Sequence, residues 1–289
     1  MRILFIGDIC GSPGRQIVHD RLADLVETQC IDLVIANCEN AASGFGITPR
    51  LAQELFDAGI HVLTGGNHIF DRREIAEFFP HEPRLLRPAN FPASNPGTGL
   101  YIGSVTLRQP APPADSSATG HSFTLSAAQA AEGPLAPIKY AVLNLQGRVF
   151  MAANDCPFKT ADRELAKIPS DVKIIVVDFH AETTSEKIAM GWYLDGRVTA
   201  MVGTHTHVAT ADERVLPGGT AHITDVGMTG PHAGVIGMER TAIIQKFLDG
   251  LPTRFAVAEG DVRMNCVVVE ADPTHGRAIS IQRLTLRAD

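Results

Sequence analysis

Carboxylate, amide and imidazole side chains recur in this sequence at one kind of place, directly after a short apolar run. Asp8 follows residues 2–7 (RILFIG), and Glu39 and Asn40 follow 32–37 (DLVIAN). Asn67 and His68 follow 61–66 (HVLTGG), His180 ends 171–180 (DVKIIVVDFH), and His205 and His207 follow VTAMVGT. Runs of this length read as buried strands, and open α/β sheets bind ligands outside the carboxyl ends of their strands. Five strands would then aim oxygen and nitrogen donors at one edge of one sheet. Each residue has a plainer alternative: a cap or turn for Asp8, solvated loop polarity for Glu39 and Asn40, a turn for Asn67, a satisfied core histidine for His180. Taken jointly, those alternatives require five coincidences at the same end of the sheet. His205 and His207 alternate with Thr204 and Thr206, so on a strand the two imidazoles share a face. Carboxylate, amide oxygen and imidazole without thiolate suit Mn²⁺, Fe or Zn²⁺ in a reactive centre better than a structural zinc site. A carboxylate shared by two ions ~3.5–4 Å apart is the two-metal arrangement for in-line displacement at phosphorus.

The elements that must position these groups alternate at first. After the strand at 2–7, Ser12-Pro13 starts a helix that runs to about Glu27. Residues 48–59 form a helix with Thr48 as cap, Pro49 at its first position and Gly59 at its end. Residues 71–79 (DRREIAEFF) read as a third helix. This βαβαβα order implies a largely parallel sheet covered on both faces. The order breaks at about 90–138, which is rich in Pro, Gly, Ala and Ser and reads as a surface excursion with short strands at 99–107 and 121–125. A lid over the site is the alternative reading of that stretch. Strands resume at 139–149 and 171–180, with helices at 162–169 and from about Thr184, where Thr183 and Glu186 have capping-box spacing. Residues 214–224 suggest a hairpin, 241–250 a helix, and 255–260, 263–272 and 278–288 half-buried antiparallel strands. The fold class is α/β, with a mixed sheet or two packed sheets flanked by helices. At 289 residues it is read as a single domain.

Bulk properties narrow the function. Apolar residues make up 45% and the formal net charge is −7, so the chain is globular and repels a nucleic-acid backbone. Stable nucleic-acid binding is therefore not expected. Five cysteines with no C-x-x-C read as reduced thiols of a cytoplasmic protein. The amino terminus has no signal-peptide pattern, and no apolar run reaches the ~20 residues that span a bilayer. The glycines of ILFIGDICGSPGR invite comparison with a dinucleotide-binding loop, but Gly7, Gly11 and Gly14 do not have G-x-G-x-x-G spacing. They instead end a strand, turn the chain into a helix, and present Asp8.

Six segments in this order, FIGDICGSPGR, NCENAASGFGIT, TGGNHIFD, DFHAETTSEK, GTHTHVATAD and TDVGMTGP, resemble the calcineurin-like metallophosphoesterases. Within them the chain looks like the bacterial YmdB family of cyclic-nucleotide phosphodiesterases. That resemblance covers residues 2–90 and about 140–245. It implies the metallophosphoesterase four-layer α/β-β/α sandwich, two mixed sheets flanked by helices, with a dinuclear centre of iron or manganese, zinc being the alternative. Carried over by motif, Asp8, Glu39, Asn40 and His207 would hold one ion. Glu39, Asn67, His180 and His205 would hold the other, with Glu39 bridging. His68 would be the catalytic, non-ligand histidine. Where the wider superfamily has Asp-x-His, the third position here is Cys10, read as a packed thiol; where it bridges with Asp, Glu39 stands. The implied reaction opens a small-molecule 2′,3′-cyclic nucleotide to its 3′-monophosphate by attack of a bridging hydroxide, His68 protonating the leaving oxygen. Thr224 and Thr229 are candidates for phosphate or sugar contact, and Phe45 for contact with a base, against a plain core role. A phosphomonoesterase or nucleotidase on the same site and a non-enzymatic metal-binding regulator are the rival functions. Homo-oligomerisation is left open.

Overall fold

The computed structural model describes residues 1–108 and 136–288. The expected strand at 121–125, most of the Pro/Gly/Ala-rich excursion and the lid reading fall outside those residues. In chain order the elements are β1 (Arg2–Ile6), β2 (Asp8–Ile9), α1 (Gly11–Thr28), β3 (Leu33–Asn37), α2 (Pro49–Asp57), β4 (Val62–Thr64), α3 (Ile75–Phe78), β5 (Leu100–Val105) and β6 (Ile138–Gln146). They continue with α4 (Pro157–Leu165), β7 (Ile174–His180), α5 (Thr184–Leu194), β8 (Ala200–Thr204), β9 (Arg214–Val215), β10 (Ala221–Ile223), β11 (Met228–Pro231), α6 (Arg240–Asp249), β12 (Val262–Ala271) and β13 (Ala278–Arg287).

Two mixed sheets result. One runs β2-β11-β12-β1-β3-β4, with β13 antiparallel to β12; the other runs β5-β6-β7-β8-β10-β9. β1, β3 and β4 are parallel, as are β6, β7, β8 and β10. Side-chain alternation on β1 shows how the layers form. Ile3 and Phe5 join Val142, Val176 and Val202 in a core between the sheets, while Leu4 and Ile6 join Ile17, Leu22, Leu51 and Leu55 under α1 and α2. On the other side, Leu143, Val177 and Met201 meet Met190 and Leu194 of α5. The molecule is therefore helix, sheet, sheet, helix, the expected four-layer sandwich.

Local departures have physical causes. The helix expected at 71–79 shrinks to α3 and a 3₁₀ turn at Phe79–His81. His68 holds Asp71, and Arg72 donates to the Phe45 and Ala42 carbonyls, so these residues serve the preceding loops instead of a first turn. The capping box at Thr183 and Glu186 does not form. The Glu186 carboxylate receives the backbone N–H groups of Arg148 and Val149, and Thr183 Oγ1 has no partner. Residues 255–260 make only an isolated bridge, Val257 to Met238, because they fold against the turn at 237–239. β12 is buried along most of its length rather than on one face, since both faces of its sheet are covered.

Phe5 is 1% exposed at the join of the two sheets, whereas Phe247 on α6 is 85% exposed. Phe5→Ala is expected to lower unfolding free energy by about 3–5 kcal/mol, and Phe247→Ala by less than about 0.5 kcal/mol. Urea unfolding measures both. Equal losses would contradict the layer assignment.

Candidate metal centre

The site begins with a strand that breaks at a glycine. A Cβ on Gly7 would sit 1.9 Å from the Gly227 carbonyl oxygen, so only glycine lets β1 end there and β2 swing against β11. Asp8 follows, fully buried, with Oδ2 accepting from the His205 N–H at 3.2 Å and Oδ1 without a hydrogen-bond partner, 3.8 Å from His180 Nδ1. Glu39 and Asn40 leave β3, Asn67 and His68 leave β4 through Gly65-Gly66, His180 is the last residue of β7, and His205 and His207 leave β8. These carboxyl ends belong to two sheets, not to one edge of one sheet as the sequence suggested. The polar cluster forms where the two edges face each other.

His180 Nε2 is the centre of the arrangement. Glu39 Oε1 lies 2.9 Å from it, Asn67 Oδ1 3.0 Å and His205 Nδ1 3.0 Å. Atoms of Glu39, His180 and His205 all fall within 4.8 Å of one another. Asn40 Nδ2 stands 3.1 Å from His207 Nε2 and 3.5 Å from Glu39 Oε1, and turning that amide over presents its oxygen instead. A Cβ on Gly66 would come within 2.3 Å of His180 Nε2 and 2.5 Å of Glu39 Oε2, so the floor of the cluster admits no side chain.

The far nitrogen of each of these three histidines is engaged by an acceptor. His180 Nδ1 reaches Thr204 Oγ1 at 2.9 Å, whose hydroxyl in turn donates to Asp178. His205 Nε2 reaches Glu182 Oε2 at 3.0 Å, and His207 Nδ1 reaches the Ile236 carbonyl at 2.9 Å. Such bonds set the tautomer and turn the other nitrogen's lone pair inward. Lone pairs of two imidazoles, a carboxylate and an amide converging at ~3 Å repel unless a proton or a cation lies among them. The orphaned Asp8 oxygen adds to that demand. The residues present therefore fit a metal centre.

Electrostatics agree. Burial would raise the Glu39 carboxyl, but the charge and hydrogen bond of His180, with His68, bring it down to about 2. Burial opposes charge on His180 too, yet Glu39, Asp8 and Asp178 push it up to about 9. Burial, then the neighbouring His180, takes His205 down to about 3, leaving a neutral donor. Asp8 and Asp178 are raised by burial, Asp178 to about 6. The field that holds a proton on His180 is one that attracts a metal cation.

His68 stands apart from the cluster. Its N–H donates to Glu39 Oε2 at 2.9 Å, its Nδ1 meets Asp71 Oδ2 at 2.8 Å, and Phe45 packs edge-on against its ring at 5.1 Å. The ring lines a cavity of about 340 Å³ next to Glu39, Asn40, His205 and His207. Among the described residues no hydrogen-bond partner is found for its Nε2. All eight residues singled out in the sequence thus meet in one place.

Several sequence readings need correction. His205 and His207 do not share a strand face, because β8 ends at Thr204 and their φ angles are 100° and 65°. Each such backbone costs of order 1–3 kcal/mol and persists only where its surroundings enforce it. Thr224 and Thr229 do not turn to the cavity: their hydroxyls donate to Asp212 and to the Asn265 carbonyl. The reading of Cys10 as a packed thiol holds: it lies beside Met228, Met238 and Ile243, pushed up to about 12 by burial and by Asp8.

Sequence reasoning missed Asp225 and Lys187. Asp225 Oδ2 accepts from Lys187 Nζ at 2.6 Å and from the Thr206 N–H and hydroxyl at 3.1 and 2.7 Å. Thr206 lies between the two histidines, so this buried ion pair anchors their turn. The signal was present in part, since Asp225 lies in the segment TDVGMTGP that follows strand β10.

A family model described as YmdB-like protein matches residues 4–111 and 113–284. A Bacillus subtilis (strain 168) protein named 2′,3′-cyclic-nucleotide 2′-phosphodiesterase is 44% identical over 289 residues, 100% of this chain and 98% of its own. A Mycoplasma pneumoniae protein named putative phosphatase/phosphodiesterase is 33% identical over 100% of this chain and 94% of its own. The crystal structure of a hypothetical protein from Thermus thermophilus superposes with TM-score 0.83 at 34% identity, covering 100% of both chains. That of a Mycoplasma pneumoniae protein described as a novel phosphatase gives TM-score 0.83 at 32% identity, over 99% of this chain and 93% of its own.

Asp225→Asn leaves Lys187 buried without its counter-charge, a loss of about 3–5 kcal/mol. It is also expected to weaken metal binding, because the turn bearing His205 and His207 loses its anchor. Chemical unfolding and a metal titration measure the two effects. Lost stability with unchanged metal affinity would remove the anchoring role.

Proposed function

We propose that this chain, which belongs to the YmdB-like protein family, is a metal-dependent phosphodiesterase that opens 2′,3′-cyclic nucleotides to 3′-monophosphates. The observation that carries this reading is the set of inward-facing donors around His180 Nε2, with His68 beside it and outside it. The name of the Bacillus subtilis relative supports it.

Asp8, Glu39, Asn40 and His207 would hold one metal ion, and Glu39, Asn67, His180 and His205 the other. Iron or manganese suits this oxygen and imidazole set, with zinc as the alternative. When bound, the ions supply Lewis acidity toward the phosphoryl oxygens and lower the pKa of water toward neutrality. The chain's own groups do the rest. Glu182, Thr204 and the Ile236 carbonyl fix the three histidines so that their donors need no reorganisation. Asp71 accepts from His68 Nδ1, which orients the ring and leaves Nε2 to carry the exchangeable proton. Water adds to phosphorus and releases one proton to solvent, the bond from phosphorus to O2′ breaks, and His68 Nε2 delivers a proton to O2′ as general acid. The other ribose oxygen keeps the phosphate, giving the 3′-monophosphate.

His68→Ala should retain its metal yet lose roughly 100-fold or more in turnover. Glu39→Gln should lose metal as well as activity. Elemental analysis of each variant, followed by chromatography of products from 2′,3′- and 3′,5′-cyclic AMP, decides the assignment. Metal loss in His68→Ala would make His68 a ligand. Faster turnover of p-nitrophenyl phosphate than of its bis-ester would favour a phosphomonoesterase.

A further inference from the structure

The cavity beside His68 has two unlike sides. One is the donor cluster, with Glu182 and Thr206. The other is apolar: Phe45, Ile236, Met238, Ile243 and Phe255, brought in from the loop after β3, the turn before α6, α6 itself and the segment after it. Its shape depends on Gly44, where a Cβ would sit 2.3 Å from Met238 Cε, so a side chain there would push Met238 away. Ile236 is 52% exposed and has a left-handed backbone, φ 45°.

The five side chains of the apolar side carry no strong hydrogen-bonding group, and much of the backbone beside them is engaged. The Phe45 N–H donates to Ala42 and its carbonyl accepts from Arg72. The Met238 N–H and carbonyl both pair with Val235, and the Ile236 carbonyl holds His207. Across the cavity the Thr206 hydroxyl is taken by Asp225, and Glu182 gives one carboxylate oxygen to His205. A planar ring seated on this wall meets hydrocarbon and aromatic side chains.

We propose that this wall is a nucleobase subsite which grips the base by its faces and does not read its hydrogen-bonding edge, so that all four 2′,3′-cyclic nucleotides are accepted. The inference rests on the phosphodiesterase reading above and adds to it the basis of substrate choice. Every base offers a π-face, so aromatic and apolar contact binds bases with little discrimination. Strong selection requires buried polar groups that a wrong base leaves unpaired, and the five side chains of this wall supply none.

The experiment compares the metal-replete enzyme on the 2′,3′-cyclic phosphates of adenosine, guanosine, cytidine and uridine and on glycerol 1,2-cyclic phosphate, which has the reacting ring and no base. The four nucleotides should agree in kcat/KM within about ten-fold, and all should exceed the glycerol compound by roughly ten-fold or more. Phe255→Ala and Phe45→Ala should narrow that gap through KM, and Phe45→Trp should keep it. Calorimetry gives a reading independent of turnover: 3′-AMP should bind the alanine variants more weakly relative to inorganic phosphate, in protein shown to be folded by circular dichroism. A preference for one base of about 100-fold or more, or a gap that persists in both alanine variants, overturns the subsite and leaves the phosphodiesterase standing. Wild-type enzyme that opens none of the five rings overturns both.

Discussion

Three carboxylates, Asp8, Glu39 and Asp178, are buried around one imidazole, and the rest of the site follows from that crowding. A single imidazolium cannot neutralise three carboxylates in a medium that solvates them poorly. The chain responds unevenly, with Glu39 held low and Asp8 and Asp178 raised. Around this knot the hydrophobic layers give way to a polar one. Asn37 and Thr64 from one sheet and Thr204 from the other all donate to Asp178, so the inter-sheet core changes from valine and isoleucine to a hydrogen-bonded floor at its carboxyl edge. Satisfied networks of this kind rigidify what they connect.

Rigidity matters because the donors are not near one another in sequence. Asp8 and His205 are 197 residues apart, and their contact requires β2 and β8, in different sheets, to hold a fixed relation. The left-handed backbones at His205 and His207 add a local cost. The Lys187–Asp225 pair and the bonds it makes to Thr206 oppose relaxation of that turn. This is why an ion pair with no contact to the donors belongs to the site.

Much of this was legible in the chain. Apolar runs ending in Asp8, Glu39, Asn67, His180 and His205 marked the site because a strand's end is visible as a change in residue type. What the runs could not reveal is which sheet each strand joins. That depends on pairings such as β6 with β7 and β1 with β12, which are set by surfaces far apart in sequence. The helix expected at 71–79 failed for a local reason: side chains with helical spacing were already engaged by the loops at 42–45 and 68. Asp178 and Asn37 were illegible as site residues because each sits inside an otherwise apolar strand and is paired with a partner 141 residues away. Lys187 was hidden in the same way, as one lysine of a helix that happens to face inward.

The separation of the cavity into a donor side and an apolar side has an evolutionary consequence. The donors hang from strand ends that two sheets hold in common, so almost any change there disturbs the frame. Phe45, Ile236 and Phe255 hang from connecting segments, with Met238 resting on Gly44. Those segments can exchange side chains while keeping the backbone contacts they lend the frame, such as the Ile236 carbonyl on His207. The donor frame and the apolar wall can therefore change independently, the wall through side chains on three connecting segments.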